Sequence, residues 1–200
     1  MATEATSISV HRARPRLPRE QRRKQLIDAA ATAFVRAGFD GTSMEDVAET
    51  AGVTRLIVYR IFTSKEELYR SVLESVTARL REEFADVEQI PARGGVAGIV
   101  LRVARERPDA FRLFWRHALH EPAFAGEAQA FRDIAAEYTA TLIHPYLHDR
   151  EFRRWAAESI VSHLYDGVCA WIDRGDPQRD DELVVRMNDG IRALIDAWTA

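Results

Sequence analysis

Two arginines five residues apart, Arg55 and Arg60, are the side chains best suited to recognise a nucleic-acid base. A guanidinium can donate two parallel hydrogen bonds to the O6 and N7 atoms of guanine in a major groove. Between them lie Leu56 and Ile57, which could pack on thymine methyl groups, although Ile57 could instead turn partly into a core. Such contacts require a short helix that presents these residues on its outer face.

The residues from Thr42 to Phe62 predict two short helices joined by a tight turn, which is the helix-turn-helix pattern. In the first helix, Ser43 is a good N-cap with Asp46 three residues later. Gly52 follows where a left-handed residue would end this helix. The apolar residues between them fall at i, i+3, i+4 and i+7 and predict one buried face: Met44, Val47, Ala48 and Ala51.

The second helix is expected to begin at Thr54, whose side chain can cap it. Its inward positions are Val58, Ile61 and Phe62. Five residues then have no role in the core: Arg55, Leu56, Ile57, Tyr59 and Arg60. Ser64 and Glu67 predict a capping box at the start of the next helix.

A longer segment, from about Arg19 to Leu73, resembles the N-terminal DNA-binding domain of the TetR family of bacterial transcriptional regulators. The matching motifs, in chain order, are Phe34-Val35-Arg36-Ala37-Gly38-Phe39, Gly41-Thr42-Ser43-Met44, Val47-Ala48, Ala51-Gly52-Val53-Thr54, Tyr59-Arg60-Ile61-Phe62 and Ser64-Lys65-Glu66-Glu67-Leu68. The remaining residues match the family only in length and helical character. The resemblance therefore concerns the DNA-binding segment above all.

The resemblance implies roles for individual residues. Thr42, Tyr59 and Lys65 occupy positions where family members commonly contact phosphates. Positions that face bases or the adjacent backbone are occupied by Thr54, Arg55, Leu56, Ile57 and Arg60. Many family members carry Gly and then Thr or Ser where this chain has Leu56 and Ile57, so the operator sequence stays open.

Positive charge is concentrated near the N-terminus, although the whole chain carries a net charge of −3. Between His11 and Arg36, eight Lys or Arg residues stand against two acidic ones, whereas from Val76 onward 21 acidic residues exceed 16 basic ones. A basic segment beside a helix-turn-helix is the electrostatic footprint expected next to phosphates. Residues 1–18 are predicted to be a disordered basic arm that either contacts DNA or extends freely into solvent.

The periodicity of the whole chain predicts an all-α fold without strands. We expect helices over about 19–37, 64–87, 96–107, 109–120, 122–147 with a kink near Pro145, 150–174 and 180–198. The predicted domains are the arm (1–18), a three-helix helix-turn-helix DNA-binding domain (19–64) and a helical effector-binding and dimerisation domain (65–200).

The last two helices carry more apolar residues than one face of a small bundle needs. Periodicity alone does not separate core packing from an interface between two copies. The resemblance implies a homodimer through these helices, because paired heads must reach successive major grooves about 34–36 Å apart.

Aromatic residues are dense in the middle helices, where a small effector is expected to bind. The candidate residues are Phe111, Phe114, Trp115, His117, Phe131, Tyr138, His163 and Tyr165. For each of them, packing in the core is the competing interpretation. The expected effector is a hydrophobic or aromatic small molecule that favours the arrangement of the heads that does not bind DNA.

Other function classes find little support in the sequence. A single cysteine, Cys169, excludes an intrachain disulfide and suits the cytoplasm, and no apolar run is long enough to span a membrane. The pairs His117–His120 and His144–His148 have ligand spacing on a helix, but Pro145 interrupts the second pair, and we predict neither a metal nor a cofactor. Catalytic motifs such as Gly-x-Ser-x-Gly and His-Glu-x-x-His do not occur.

The sequence therefore predicts a ligand-responsive DNA-binding regulator, most simply a repressor that binds a palindromic operator as a homodimer and is released by its effector. Activation is also compatible with these residues. The alternative from a different class is an all-helical carrier or enzyme whose N-terminal domain does not bind specific DNA.

Overall fold

The computed structural model of the chain describes residues 17–85 and 95–199, and its regular secondary structure within these ranges is entirely helical. The helices are α1 (Arg19–Ala37), α2 (Met44–Ala51), α3 (Arg55–Tyr59), α4 (Lys65–Phe84), α5 (Gly95–Glu106), α6 (Pro108–Arg112), α7 (Ala125–Ile143), α8 (Arg150–Arg174) and α9 (Asp180–Thr199). This confirms the all-α prediction. We refer to α1–α3 as the head and to α4–α9 as the body. Most of the predicted arm, residues 1–16, lies outside the described residues.

The head is a small three-helix unit that packs on the start of α4. The inward residues of α1 are buried as its periodicity predicts, with Leu26, Ala30 and Phe34 fully covered. Helix α2 packs across α1 and contacts α3, and α1 also contacts α4 and α6. The DNA-binding elements are therefore held against the body along two of its helices.

In the body, α7 and α8 pack against each other over much of their length, and α5 lies between α8 and α9. Helix α8 begins at an Asp149 N-cap, whose carboxylate accepts a hydrogen bond of 2.7 Å from the Phe152 backbone N–H. The predicted ranges of α8 and α9 are confirmed, and α8 agrees at both ends.

Two helices of the body differ from their prediction. The segment expected to be one helix over 109–120 is divided into α6, a π-helical turn at Leu113–His117 and a 3₁₀ turn at Ala118–His120. The helix expected over 122–147 with a kink near Pro145 is instead α7, which begins at Ala125 and ends at Ile143. Because Pro145 lacks an amide hydrogen, it interrupts the hydrogen bonding that would continue the helix.

One hydrophobic core runs from the head into the body. It contains Leu26 and Phe34 of α1, Val58 of α3, Tyr69 of α4 and Phe124, just before α7. Four rings join the two parts: Phe39 lies 5.1 Å from Phe124, and Phe124 stacks on Tyr69 at 4.2 Å, which meets Phe34 at 4.9 Å. A second, smaller cluster lies at the far end of the body, where Ile143 and Leu147 meet Ile160 and Ile195.

Within residues 17–85 and 95–199, no helix is long and apolar enough to cross a lipid bilayer. The same part of the chain contains no group of three or more His, Cys, Asp or Glu side chains placed to hold a metal ion.

Candidate nucleic-acid interface

The first helix of the helix-turn-helix is fixed at both ends by its local sequence. Ser43 Oγ accepts a hydrogen bond of 3.2 Å from the Asp46 N–H, and the Asp46 carboxylate accepts one of 2.8 Å from the Ser43 N–H. The Ser43 hydroxyl also donates a hydrogen bond of 2.7 Å to the Asp46 carboxylate, and this bond, followed by the one from the Ser43 backbone, lowers the pKa of Asp46. At the other end Gly52 adopts the left-handed conformation, with φ 64° and ψ 36°. Both the predicted N-cap and the predicted glycine turn are confirmed.

The second helix, α3, is only five residues long, and residues of its inner face and of the turn that follows anchor it in the core. Val58 and Phe62 are fully buried and Ile61 is half-buried against the same core. The expected cap is absent, because the Thr54 side chain makes no capping hydrogen bond in the structure. The orientation of α3 therefore depends on the packing of its inner face.

The outer face of α3 presents the predicted reading residues to solvent. Thr54, Arg55 and Arg60 are exposed, Leu56 is 61% exposed and Tyr59 is 41% exposed. Ile57 is half-buried, which agrees with the competing interpretation that it turns partly toward the core. The predicted residues thus form one surface, with Ile57 at its edge.

Arg55 is held in a defined position on this surface. It forms an ion pair with Glu45 of α2, its Nη2 lies 3.4 Å from the Tyr59 hydroxyl, and its guanidinium lies 5.0 Å from the centre of the Tyr59 ring. The Tyr59 hydrogen bond, followed by the charge of Glu45, raises the pKa of Arg55, which remains fully charged.

Two of the predicted phosphate-contacting residues support the turn between α1 and α2. Lys65 Nζ donates a hydrogen bond of 2.7 Å to the Phe39 carbonyl and lies 4.3 Å from the centre of the Phe39 ring. Thr42 is only 2% exposed, and its hydroxyl donates to the carbonyls of Gly38 and Ala33. The geometry therefore differs from the expectation for Thr42, because its hydroxyl is used inside the protein. Lys65, in contrast, is half-buried and retains further N–H donors.

The start of α4 also departs from the predicted capping box. Ser64 Oγ accepts a hydrogen bond of 3.1 Å from the Glu67 N–H, as expected. The Glu67 carboxylate, however, accepts bonds of 2.6 Å from both the N–H and the hydroxyl of Thr63. These two bonds, from the hydroxyl first and the backbone second, lower the pKa of Glu67. The loop that joins α3 to α4 is thereby fixed one residue earlier than the motif predicts.

The body contains a cavity of about 1150 Å³ between α4, α5, α7, α8 and α9. Its wall is largely apolar and includes three of the predicted ligand-contacting residues: Phe131, Tyr138 and Tyr165. Apolar residues of α8 and α9, helices whose sequence indicated core packing or a dimer interface, also line the cavity: Ile160, Val184, Ile191 and Ile195. Their periodicity predicts an apolar helix face, but periodicity does not tell whether that face meets the core, a dimer interface or a cavity.

The other five predicted ligand-contacting residues do not line this cavity. Phe111, Phe114 and Trp115 are buried behind its wall: Phe111 and Trp115 stack on Tyr165 at 5.8 and 4.5 Å, and Phe114 meets Phe131 at 4.6 Å. These residues support the cavity wall from behind.

The two histidines lie elsewhere. His163 is exposed on α8. His117 is half-buried in the π-helical turn, where desolvation, followed by the charge of Arg116, lowers its pKa. Neither imidazole is therefore placed to contact a molecule inside the cavity.

Comparison with known proteins agrees with the head geometry. Residues 26–72 match the family model described as bacterial regulatory proteins, tetR family. The HTH-type transcriptional activator FasR of Mycolicibacterium smegmatis is 44% identical over 178 residues, which cover 84% of this chain and 80% of that protein. The chain belongs to the TetR family. It is therefore a DNA-binding transcriptional regulator and not an enzyme.

Other TetR-family members place the similarity in context. The regulator RutR of Escherichia coli is 35% identical over 100 residues, which cover 46% of each chain. A TetR-like transcriptional regulator from Rhodococcus sp. RHA1, solved by crystallography, has a TM-score of 0.69 at 24% identity and covers 88% of this chain and all of its own. This structural similarity shows that the TetR fold extends through the body, where the sequence motifs give little guidance.

Proposed function

We propose that the protein is a homodimeric, effector-responsive regulator that binds a palindromic operator through α3 and leaves it when a small apolar molecule enters the body cavity. The observation that carries the proposal is the outer face of α3, where Arg55 and Arg60 are exposed above a fully buried Val58 and Phe62. Charged side chains on a rigidly seated helix suit base readout in a major groove. The site of action is then the cytoplasm, where the chromosome lies.

The DNA-binding part of the proposal is tested on the duplex that flanks its own gene, or on an operator selected from a random duplex library. Replacing Arg60 with Ala removes the donors proposed to contact guanine and should weaken operator binding by about 1–3 kcal/mol, with little change for random DNA. Lys65→Ala should weaken binding to both duplexes and reduce the salt dependence. The absence of any sequence-specific complex at modest salt would contradict this part of the proposal.

Dimerisation is supported by aromatic side chains left uncovered near one end of α8 and α9. Phe152 stacks on Trp155 at 5.1 Å, and Trp155 lies 5.0 Å from Trp198, yet Trp155 is 49% exposed. A second copy that covers these rings would bury the surface that the monomer exposes. Sedimentation equilibrium of the wild-type protein should give twice the chain mass. Trp155→Asp should lower the measured mass toward that of the monomer. A wild-type monomer at micromolar concentration would oppose the proposal.

The effector part of the proposal rests on the cavity. Its volume, about 1150 Å³, is somewhat above the range of about 300–1,000 Å³ typical of sites for drug-sized molecules. Its wall combines aliphatic side chains with the rings of Phe131, Tyr138 and Tyr165. Ala135 lines the cavity, while Ala130 on the same helix is exposed and does not. Ala135→Phe should weaken the binding of 1-anilinonaphthalene-8-sulfonate, an anionic fluorescent probe whose aromatic rings bind apolar sites, and Ala130→Phe serves as the matched control. Equal binding by both variants would mean that the probe binds outside the cavity.

Repression is the simpler outcome of operator binding, but the similarity to FasR, which is named an activator, favours a second candidate, activation. A reporter gene separates the two. With the operator placed upstream of the promoter, a repressor leaves expression unchanged or lowers it, whereas an activator raises it.

A further inference from the structure

The two arginines proposed to read DNA have different surroundings. Arg55 pairs with Glu45, which projects from the first turn of α2 and is half exposed. Arg60 has no ion-pair partner among the residues that the structure describes. One reading arginine is therefore linked to a carboxylate on the neighbouring helix, and the other is free to meet DNA directly.

Glu45 and Tyr59 together restrict where the Arg55 guanidinium can go. The carboxylate binds Nη1, while the Tyr59 hydroxyl lies 3.4 Å from Nη2 and its ring lies beneath the group at 5.0 Å. A guanidinium has five N–H donors, so these contacts leave donors for a base. In the absence of DNA these exposed contacts favour a position of the guanidinium between Glu45 and the Tyr59 ring.

We propose that Glu45 is a specificity-determining residue that acts through Arg55 and weakens its contact with phosphates more than its contact with guanine. This inference rests on the proposed DNA-binding function.

The physical reason lies in what each DNA group offers to the guanidinium. A phosphate offers mainly negative charge, and Glu45 already supplies such a charge without any reorganisation. A guanine edge offers two acceptors in a fixed arrangement that a single carboxylate contact to Nη1 does not replace. Since an exposed ion pair is weak, guanine can engage Arg55 at small cost, while random DNA gains little from displacing Glu45.

The test compares four full-length proteins: wild type, Glu45→Gln, Arg55→Ala and the double variant. Each is titrated against the selected operator and against a random duplex of equal length, over a series of salt concentrations. The matched control is Glu49→Gln, since Glu49 is exposed on the same helix and makes no ion pair within the described part of the chain. Circular dichroism establishes that every variant remains folded.

We expect Glu45→Gln to tighten binding to random DNA by up to about fivefold, the factor that corresponds to the upper range of exposed ion pairs. The slope of log affinity for random DNA against log salt concentration should become steeper by the amount expected for about one additional phosphate contact. Operator affinity should change less, so the ratio of operator affinity to random-DNA affinity falls. In the Arg55→Ala background the same change should have the small effect of Glu49→Gln.

Two results would overturn the inference. One is an equal effect of Glu45→Gln with and without Arg55, which would mean that Glu45 acts only through its general charge. The other is an unchanged specificity ratio in a variant that is folded. Failure of the underlying function would look different, because the wild-type protein itself would then bind operator and random DNA alike.

Discussion

The hydroxyl of Tyr69 is buried without a hydrogen-bond partner among the described residues, in the aromatic cluster that joins head and body. Leaving a buried polar group unpaired costs about 1–3 kcal/mol, so Tyr69→Phe removes a penalty while keeping the ring in place. We expect the free energy of unfolding to rise by about 1 kcal/mol. For a chain of this length, that gain corresponds to an increase of about 2–4 °C in Tm.

The assay is thermal and urea unfolding followed by circular dichroism at one fixed protein concentration, because dimerisation makes Tm depend on concentration. Tyr59→Phe is the matched control, since Tyr59 is 41% exposed and its hydroxyl takes part only in a long, exposed hydrogen bond from Arg55. We expect no more than about 0.5 kcal/mol of change for that variant. A loss of stability in Tyr69→Phe would refute the reasoning, because it would show that the hydroxyl has a partner in solution.

The same residue predicts the response to alkali. Burial, and secondarily the charge of Glu121, raises the pKa of Tyr69 well above its usual value of about 10. In the unfolded chain the phenol loses its proton from about pH 10, whereas in the folded protein it keeps the proton to higher pH. The stability linked to this group is therefore complete below pH 10 and falls as the pH rises further. The slope of unfolding free energy against pH between 9 and 11 should be shallower in Tyr69→Phe, and an unchanged slope would assign the alkaline loss to other groups.

Three further variants follow from the local geometry. Gly52→Ala should destabilise the protein by about 1–2 kcal/mol in urea unfolding, because its φ of 64° strains any residue with a Cβ although space is available. Gly126→Ala, which has equal space and no positive φ, should stabilise it by about 0.4–1 kcal/mol, and the same sign for both variants would contradict this reasoning. Ser43→Ala should cost about 1 kcal/mol through loss of the N-cap, as measured by the same denaturation. Because bonds from Ser43 lower the pKa of Asp46, the associated stability is present above about pH 4 and is lost as the pH falls, and Ser43→Ala should flatten that acid-side loss.

The elements whose signals are local were predictable from the sequence. The ends of α2 follow from the Ser43 cap and the Gly52 turn, and the exposure of Arg60 follows from the burial of Val58, two residues earlier on the opposite face of α3. Each of these depends on residues a few positions apart, where spacing along a helix determines the geometry. The head could therefore be assigned almost residue by residue.

Features that depend on contacts between distant segments could not be predicted. The π-helical turn at Leu113–His117 accompanies the stacking of Phe111 and Trp115 on Tyr165, a residue of the distant helix α8. For the same reason, aromatic content identified the neighbourhood of the cavity but not its lining, since a buried ring such as Phe114 has the same sequence signature in either place. The start of α4 gives a similar example over a short distance. The Glu67 carboxylate could accept from the N–H of Ser64 or of Thr63, and in the structure it accepts from Thr63.

The hydrophobic core that continues from head to body limits how this protein can be recombined with its relatives. The predicted boundary at residues 64 and 65 separates Phe39 from Tyr69, yet these rings lie 5.4 Å apart and both contact Phe124. A chimera joined at that boundary would place the loop of a foreign head, in the position of Phe39, against Tyr69 and Phe124 of this protein, to which it is not matched. An interchangeable reading head therefore requires that Tyr69 and Phe124 be matched to it as well, and new operator specificities are more readily obtained by changing the outer face of α3 than by swapping whole heads.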